Sequence, residues 1–212
     1  MQILRPRGPG RAESRVLGSR FLAEAAPVAD ESAARLRRAG LAAEFPDATH
    51  HCWALLVGAG DGTRALLDDA GEPAGTAGAP ILQAIRSAGV IEAQVVVVRW
   101  FGGTKLGRGG LRRAYRDAAR AALAAAGAET VETRAALRLR GPIGGDGEVR
   151  HLLARHGGAV RRAGYDAAGS AILDVDLPEG SAAPFVEALG RLSRGAWRAA
   201  AAAARDPDNS GG

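Results

Sequence analysis

Apolar and polar positions alternate with a period of two through SRFLAEAAPV (19–28), which predicts a strand closing at Pro27. HHCWALLV (50–57) and TRALLD (63–68) are strand-like runs around GAGDG, where Gly and Asp predict a hairpin turn. AQVVVVRW (93–100) is apolar on both faces and predicts a central strand. Helical spacing takes over elsewhere. Asp30 is placed to cap a helix over residues 31–44, before Pro46. Pro80 suits the first turn of a second helix, with Ile81, Leu82 and Ile85 on one side and Gly89 at its end. A third helix is predicted from Gly110 to Ala126, stopped by Gly127. Residues 1–14, rich in Pro, Gly and Arg and without periodicity, predict a flexible N-terminus.

The pattern changes after Gly127. ETVETRAALRLRG (129–141) alternates as one strand, and EVRHLLARHG (148–157) reads as a helix. AVRRAGYD and SAILDVDL read as paired strands, 181–193 as a helix, and GAWRAAAAAAR closes the set. Six consecutive alanines leave residues 196–204 open between strand and helix. The order β-α-β-β-α-β is that of a ferredoxin-like split motif. The expectation is an α+β chain: a first domain over 15–130, a ferredoxin-like second domain over 131–205, and a disordered tail at 206–212.

Composition narrows the class. With 47% apolar residues in 212, a substantial core is expected. The net charge of +5 favours a polyanionic partner, although Lys105 is the only lysine and the arginine bias also fits a protein that is merely basic. Cys52, the only cysteine, excludes an intramolecular disulfide and fits a reducing cytoplasm. MQILRPRGPGRAES has no apolar stretch of a secretory signal, and no run reaches spanning length, so no membrane partner is expected.

Four segments bear chemistry. GGTKLGRGG (102–110) sits between strand and helix, where free N–H groups attract anions. Arg108 and Gly109 stand where a Walker loop needs Lys and Ser or Thr, so the alternatives are a tight turn or a backbone phosphate site helped by Lys105 and Arg108. On the helix after it, Arg112, Arg113, Arg116 and Arg120 fall within about 100° of arc, a basic stripe that could bind nucleic acid or simply be solvated. DDAGEPAGTAG (68–78) gathers Asp68, Asp69, Glu72 and Thr76, readable as a general base, a cation site or a capped turn. In ATHHC (48–52), strand alternation puts His50 and Cys52 on one face and His51 on the other; two ligands do not close a zinc site. His151 and His156 lie about 140° apart on a helix and do not pair. No cofactor, metal or catalytic residue is assigned from these residues.

SRF, FPDATHHCWA (45–54), GEPAGTAGAPIL (71–82) and RWFGGTKLGRGGLRRAY (99–115), in this order and spacing, resemble the IMPACT family, also called the YigZ or uncharacterised protein family 0029 group, in its bacterial two-domain type. The resemblance implies an N-terminal domain similar to domain IV of elongation factor G, with a left-handed β-α-β crossover, and a ferredoxin-like C-terminal domain. It also implies a cytoplasmic protein working near RNA or the ribosome in the regulation of translation. The motif positions expected to line a surface cleft are His50, His51, Glu72, Thr76, Gly78, Gly102, Gly103, Gly107, Gly109, Gly110 and Tyr115. Where the family reads Asp-Asp-Gly-Glu-Pro, this chain has Ala70 after Asp69. The leading expectation is RNA or ribosome binding through Arg99, Lys105, Arg108, Arg112, Arg113, Arg116 and Arg120. The alternatives are an enzyme with a His/Glu/Thr cleft and an adaptor that sequesters a translation-regulating protein.

Overall fold

The valine run is the centre of the first layer. A computed structural model describes residues 2–58 and 62–201. In it Ala93–Trp100 (β6) is the middle strand of a five-stranded antiparallel sheet. Its neighbours are Ser19–Pro27 (β3) and His50–Val57 (β4); outside these lie Gly10–Val16 (β2) and Arg64–Asp68 (β5), giving the order β2-β3-β6-β4-β5. Both faces of β6 are covered, as its continuous apolar sequence requires. Phe21, Ala23 and Ala25, Cys52 and Ala54, and Val95 and Val97 point towards helices Gly78–Ser87 (α2) and Gly107–Ala126 (α3). Leu22, Trp53, Leu55, Val96 and Val98 point the other way, where Glu31–Glu44 (α1) supplies Ala34 and Leu41. Asp30 caps α1 by accepting from the Ala33 N–H at 2.8 Å.

The N-terminal expectation needs correction. Residues 1–14 do not form a flexible arm: Gln2–Pro6 (β1) is a strand paired with Ala128–Glu132 (β7), and β2 runs its whole length along β3. Edge pairing and ion pairs supply what periodicity did not show. Arg11 on β2 bridges Glu24 and Glu44 at 2.6 Å each, and Arg20 on β3 binds Glu13. The expected single strand over 129–141 is two, β7 and Arg134–Gly141 (β8), interrupted at Thr133. α3 begins one turn earlier than the sequence pattern indicates.

The chain divides into two compact units, one over Gln2–Val131 and one from Glu132 onward. In the second unit β8, Asp146–Arg155 (α4), Ala159–Tyr165 (β9), Ala171–Pro178 (β10), Glu179–Ser193 (α5) and Arg198–Ala201 (β11) follow one another, and the sheet order is β11-β8-β10-β9. Its core gathers Leu139, Leu173, Val175 and Leu177 with Val149, Leu153, Phe185, Leu189 and Trp197. Alanine's helix propensity loses in β11: buried Trp197 anchors the segment and Arg198–Ala201 pair with β8. The chain is thus α+β. Residues 59–61 of the hairpin turn expected at GAGDG, and the chain beyond 201 including the expected tail at 206–212, lie outside the described residues. Among the described residues no helix is long and apolar enough to cross a membrane.

Candidate functional site

Strand alternation carries Ser19, Phe21, His50, Cys52 and Arg99 to the face under α2 and α3, since Arg99 sits opposite both Phe21 and His50 in register. There Arg99 meets Glu72. Arg99 Nη1 donates to Glu72 Oε1 at 2.5 Å, Nη2 donates to Ser19 Oγ at 3.1 Å, and the Tyr115 hydroxyl donates to the same Glu72 oxygen at 2.7 Å. His50 completes the cluster, with Nε2 at 3.8 Å from Glu72 Oε1 and Nδ1 donating to the Ala70 carbonyl at 2.9 Å. The Phe21 ring lies edge-on to Tyr115, centroids 5.3 Å apart, and under the Arg99 guanidinium. The pair is closed off, with Arg99 4% and Glu72 8% exposed.

The Cys52 thiol sits 3.0 Å from the Asp69 carbonyl and 3.3 Å from the Tyr115 hydroxyl. Burial pushes it up to about 12, so it stays protonated at neutral pH and is no nucleophile. Burial also pushes the Tyr115 phenol well above its ordinary value, which keeps its proton on the bond to Glu72.

The acidic loop turns out to be a cap. Asp69 accepts from the Gly75, Ala77 and Gly78 N–H groups at 2.7–2.9 Å, holding the start of α2. Burial raises its carboxyl, but these backbone donors outweigh that and leave it below the usual range. Asp68 accepts from the Ala70 N–H, and the Thr76 hydroxyl donates to the Pro73 carbonyl at 2.6 Å.

The expected site residues therefore separate into groups. His50, Glu72 and Tyr115 share one cluster; Thr76 and Gly78 belong to the α2 cap; His51 points to the opposite face of the sheet, so the expected cleft does not hold it. Arg99 leaves the phosphate-contact set, because alternation turns it inward onto Glu72. Ser19, the first residue of the SRF motif, is a member the expected cleft residues lacked; its signal is the parity it shares with Phe21.

The glycine loop follows directly. Gly102 donates its N–H to Ser19 Oγ and lies so near Gly18 that a Cβ would stand 1.9 Å from that carbonyl carbon. Gly103 and Gly107 take φ of 84° and 67°, and Gly109 and Gly110 fall in the first turn of α3, whose N-terminus no side chain caps. Lys105, Arg108, Arg112, Arg113 and Arg120 are exposed and Arg116 half-buried. Arg108 and Arg112 donate to the Ala74 and Gly75 carbonyls, and Arg116 pairs with Asp117.

Residues 17–123 match the model of the Impact N-terminal domain. The IMPACT family member YigZ of Escherichia coli (strain K12) is 35% identical over 191 residues, covering 90% of this chain and 93% of the relative. An IMPACT family member in pol 5'region of Thermus thermophilus is 41% identical over 179 residues, 84% of this chain and 94% of that one. The fold superposes on a crystal structure of a hypothetical protein with a TM-score of 0.72 at 33% identity, covering 96% of this chain and 98% of the other.

Proposed function

The chain belongs to the IMPACT family, and from that premise we propose that it is a translation-linked protein that binds RNA or a ribosomal surface through the glycine loop and α3. One observation carries the reading. From Gly102 to Ala126 the chain presents six cations, Lys105, Arg108, Arg112, Arg113, Arg116 and Arg120, against the single carboxylate of Asp117. Lys105, Arg108 and Arg112 stand at an uncapped helix N-terminus with open backbone at Gly103 and Gly107, groups that favour phosphate, and Arg113, Arg116 and Arg120 continue along the helix. The order β11-β8-β10-β9 supports reading the second unit as ferredoxin-like, and the first is read as similar to domain IV of elongation factor G.

An enzymatic use of the inner cluster draws less support. Glu72 already accepts from Arg99 and Tyr115, the Thr76 hydroxyl is bound, and the Cys52 thiol is protonated.

Anisotropy of a labelled single-stranded RNA, titrated at several salt concentrations, tests the proposal. Arg112→Ala with Arg116→Ala is expected to weaken binding whatever the sequence and to reduce the slope of log affinity against log salt by about 1.4. A slope unchanged by the double variant defeats the assignment.

A further inference from the structure

The arginine row does not border open surface. Beside it, between α2 and α3, run two hollows of about 540 and 370 Å³ that share Gln83 and Arg116 in their linings. Together they form one groove within the first unit, from the Gly75 turn to Gly127. Arg112, Arg116 and Arg120 stand along one side at intervals of four residues, a row about 12 Å long at the helical rise. Gln83 and Ser87 stand on the other side, exposed on α2, and the floor is apolar: Ala84, Val90 and Leu123. Among the described residues no carboxylate lines either hollow, and the pair partner of Arg116, Asp117 at 3.1 Å, lies outside both. Arg113, on the same helix, faces a separate hollow shared with Asp117 and Val16 on the β2 side.

Building on the RNA-binding reading, we infer that the occupant of this groove is a short single-stranded RNA segment, its phosphates on Arg112, Arg116 and Arg120 and its bases against the Ala84–Val90–Leu123 floor. Charge complementarity supplies the backbone side of the argument, since three guanidiniums stand there with no acid among the lining residues. The floor supplies the base side. Apolar surface beside a cationic rim suits unpaired bases, which a duplex keeps stacked inside itself.

The test compares two variants of equal charge on the full chain, Arg120→Gln and Arg113→Gln, with labelled oligo(U) and with the same strand annealed to oligo(A). The groove requires that Arg120→Gln weaken single-strand binding about fivefold and lower its salt slope by about 0.7, while Arg113→Gln, whose side chain faces the β2-side hollow, causes a clearly smaller loss in both. Gln83→Trp, which fills the groove where the two hollows meet without altering net charge, is expected to weaken single-strand binding about tenfold; thermal melts establish that each variant is folded. The duplex is expected to bind more weakly than the single strand and to be indifferent to Gln83→Trp. Equal losses from the two arginine variants, or a harmless Gln83→Trp in a folded protein, overturn the groove while leaving RNA binding by the basic face intact. No salt-dependent binding by the unaltered protein overturns both.

Discussion

Ala70 shows how one residue separates this chain from its family pattern. It sits at φ 45° in the turn before Glu72, a left-handed conformation that asparagine, aspartate and glycine tolerate far better than alanine. The aspartate that the resemblance implies at this position would therefore have a backbone reason, independent of any second catalytic carboxylate. Ala70→Asn is expected to raise stability by about 0.5–1 kcal/mol, read as an increased midpoint in urea unfolding. Glu72 is the opposite case. Replacing it with Gln leaves the Arg99 guanidinium buried without its counter-charge and is expected to cost about 3–5 kcal/mol in the same measurement. Glu72, His50 and Tyr115 were legible as members of one site through the family motifs. That the site is sealed was not, because burial of Arg99 depends on which face of β6 position 99 takes once Phe21 and His50 flank it.

Among the elements, the long periodic ones read correctly from sequence: α1 with its Asp30 cap, β4 and β6. Their signals are local, a cap or a run of one polarity. β1 did not read because its partner, β7, lies far along the chain and periodicity carries no trace of it; β2 did not because GRAESRV is mostly polar, although it forms a hairpin with the next strand, β3, across Leu17 and Gly18. α2 lies between these cases. Its first turn is held by a side chain nine residues upstream of Gly78, the Asp69 carboxylate, which looked like site chemistry in the sequence. Asp69→Ala is expected to remove about 1–2 kcal/mol of stability, checked by the thermal midpoint, while Asp68→Ala, whose bond is to one exposed backbone N–H, costs less.

At the scale of the whole molecule, α3 stands apart from the other arginine-bearing elements. Its arginines have little compensation, whereas Arg11, Arg20 and Arg37 on the first unit's sheet and α1 pair with glutamates, and in the second unit arginine is matched strand to strand, Arg138 with Asp174 on β8 and β10, and Arg134 and Arg161 both with Asp176. Hydrogen bonds from Arg138 and Arg161 hold the Asp174 and Asp176 carboxyls below the ordinary 3.8. The unfolded chain therefore takes up protons first as pH falls, so these pairs stabilise fully above about pH 4 and lose that contribution progressively below it. Thermal melts between pH 7 and pH 2 are expected to show this decline, and Asp174→Asn with Asp176→Asn to flatten it while lowering the midpoint at pH 7. The arginine bias obscured this distinction in the sequence, since a paired and an unpaired guanidinium are written with the same letter.

Lys105 stands exposed in the glycine loop, and the rest of the chain is written in arginine. Side-chain amine chemistry therefore has a single address in this protein. An acylating dye or a crosslinker that captures lysine reports on the loop between β6 and α3 and on no other side chain, so a partner trapped through it is one that touches that loop.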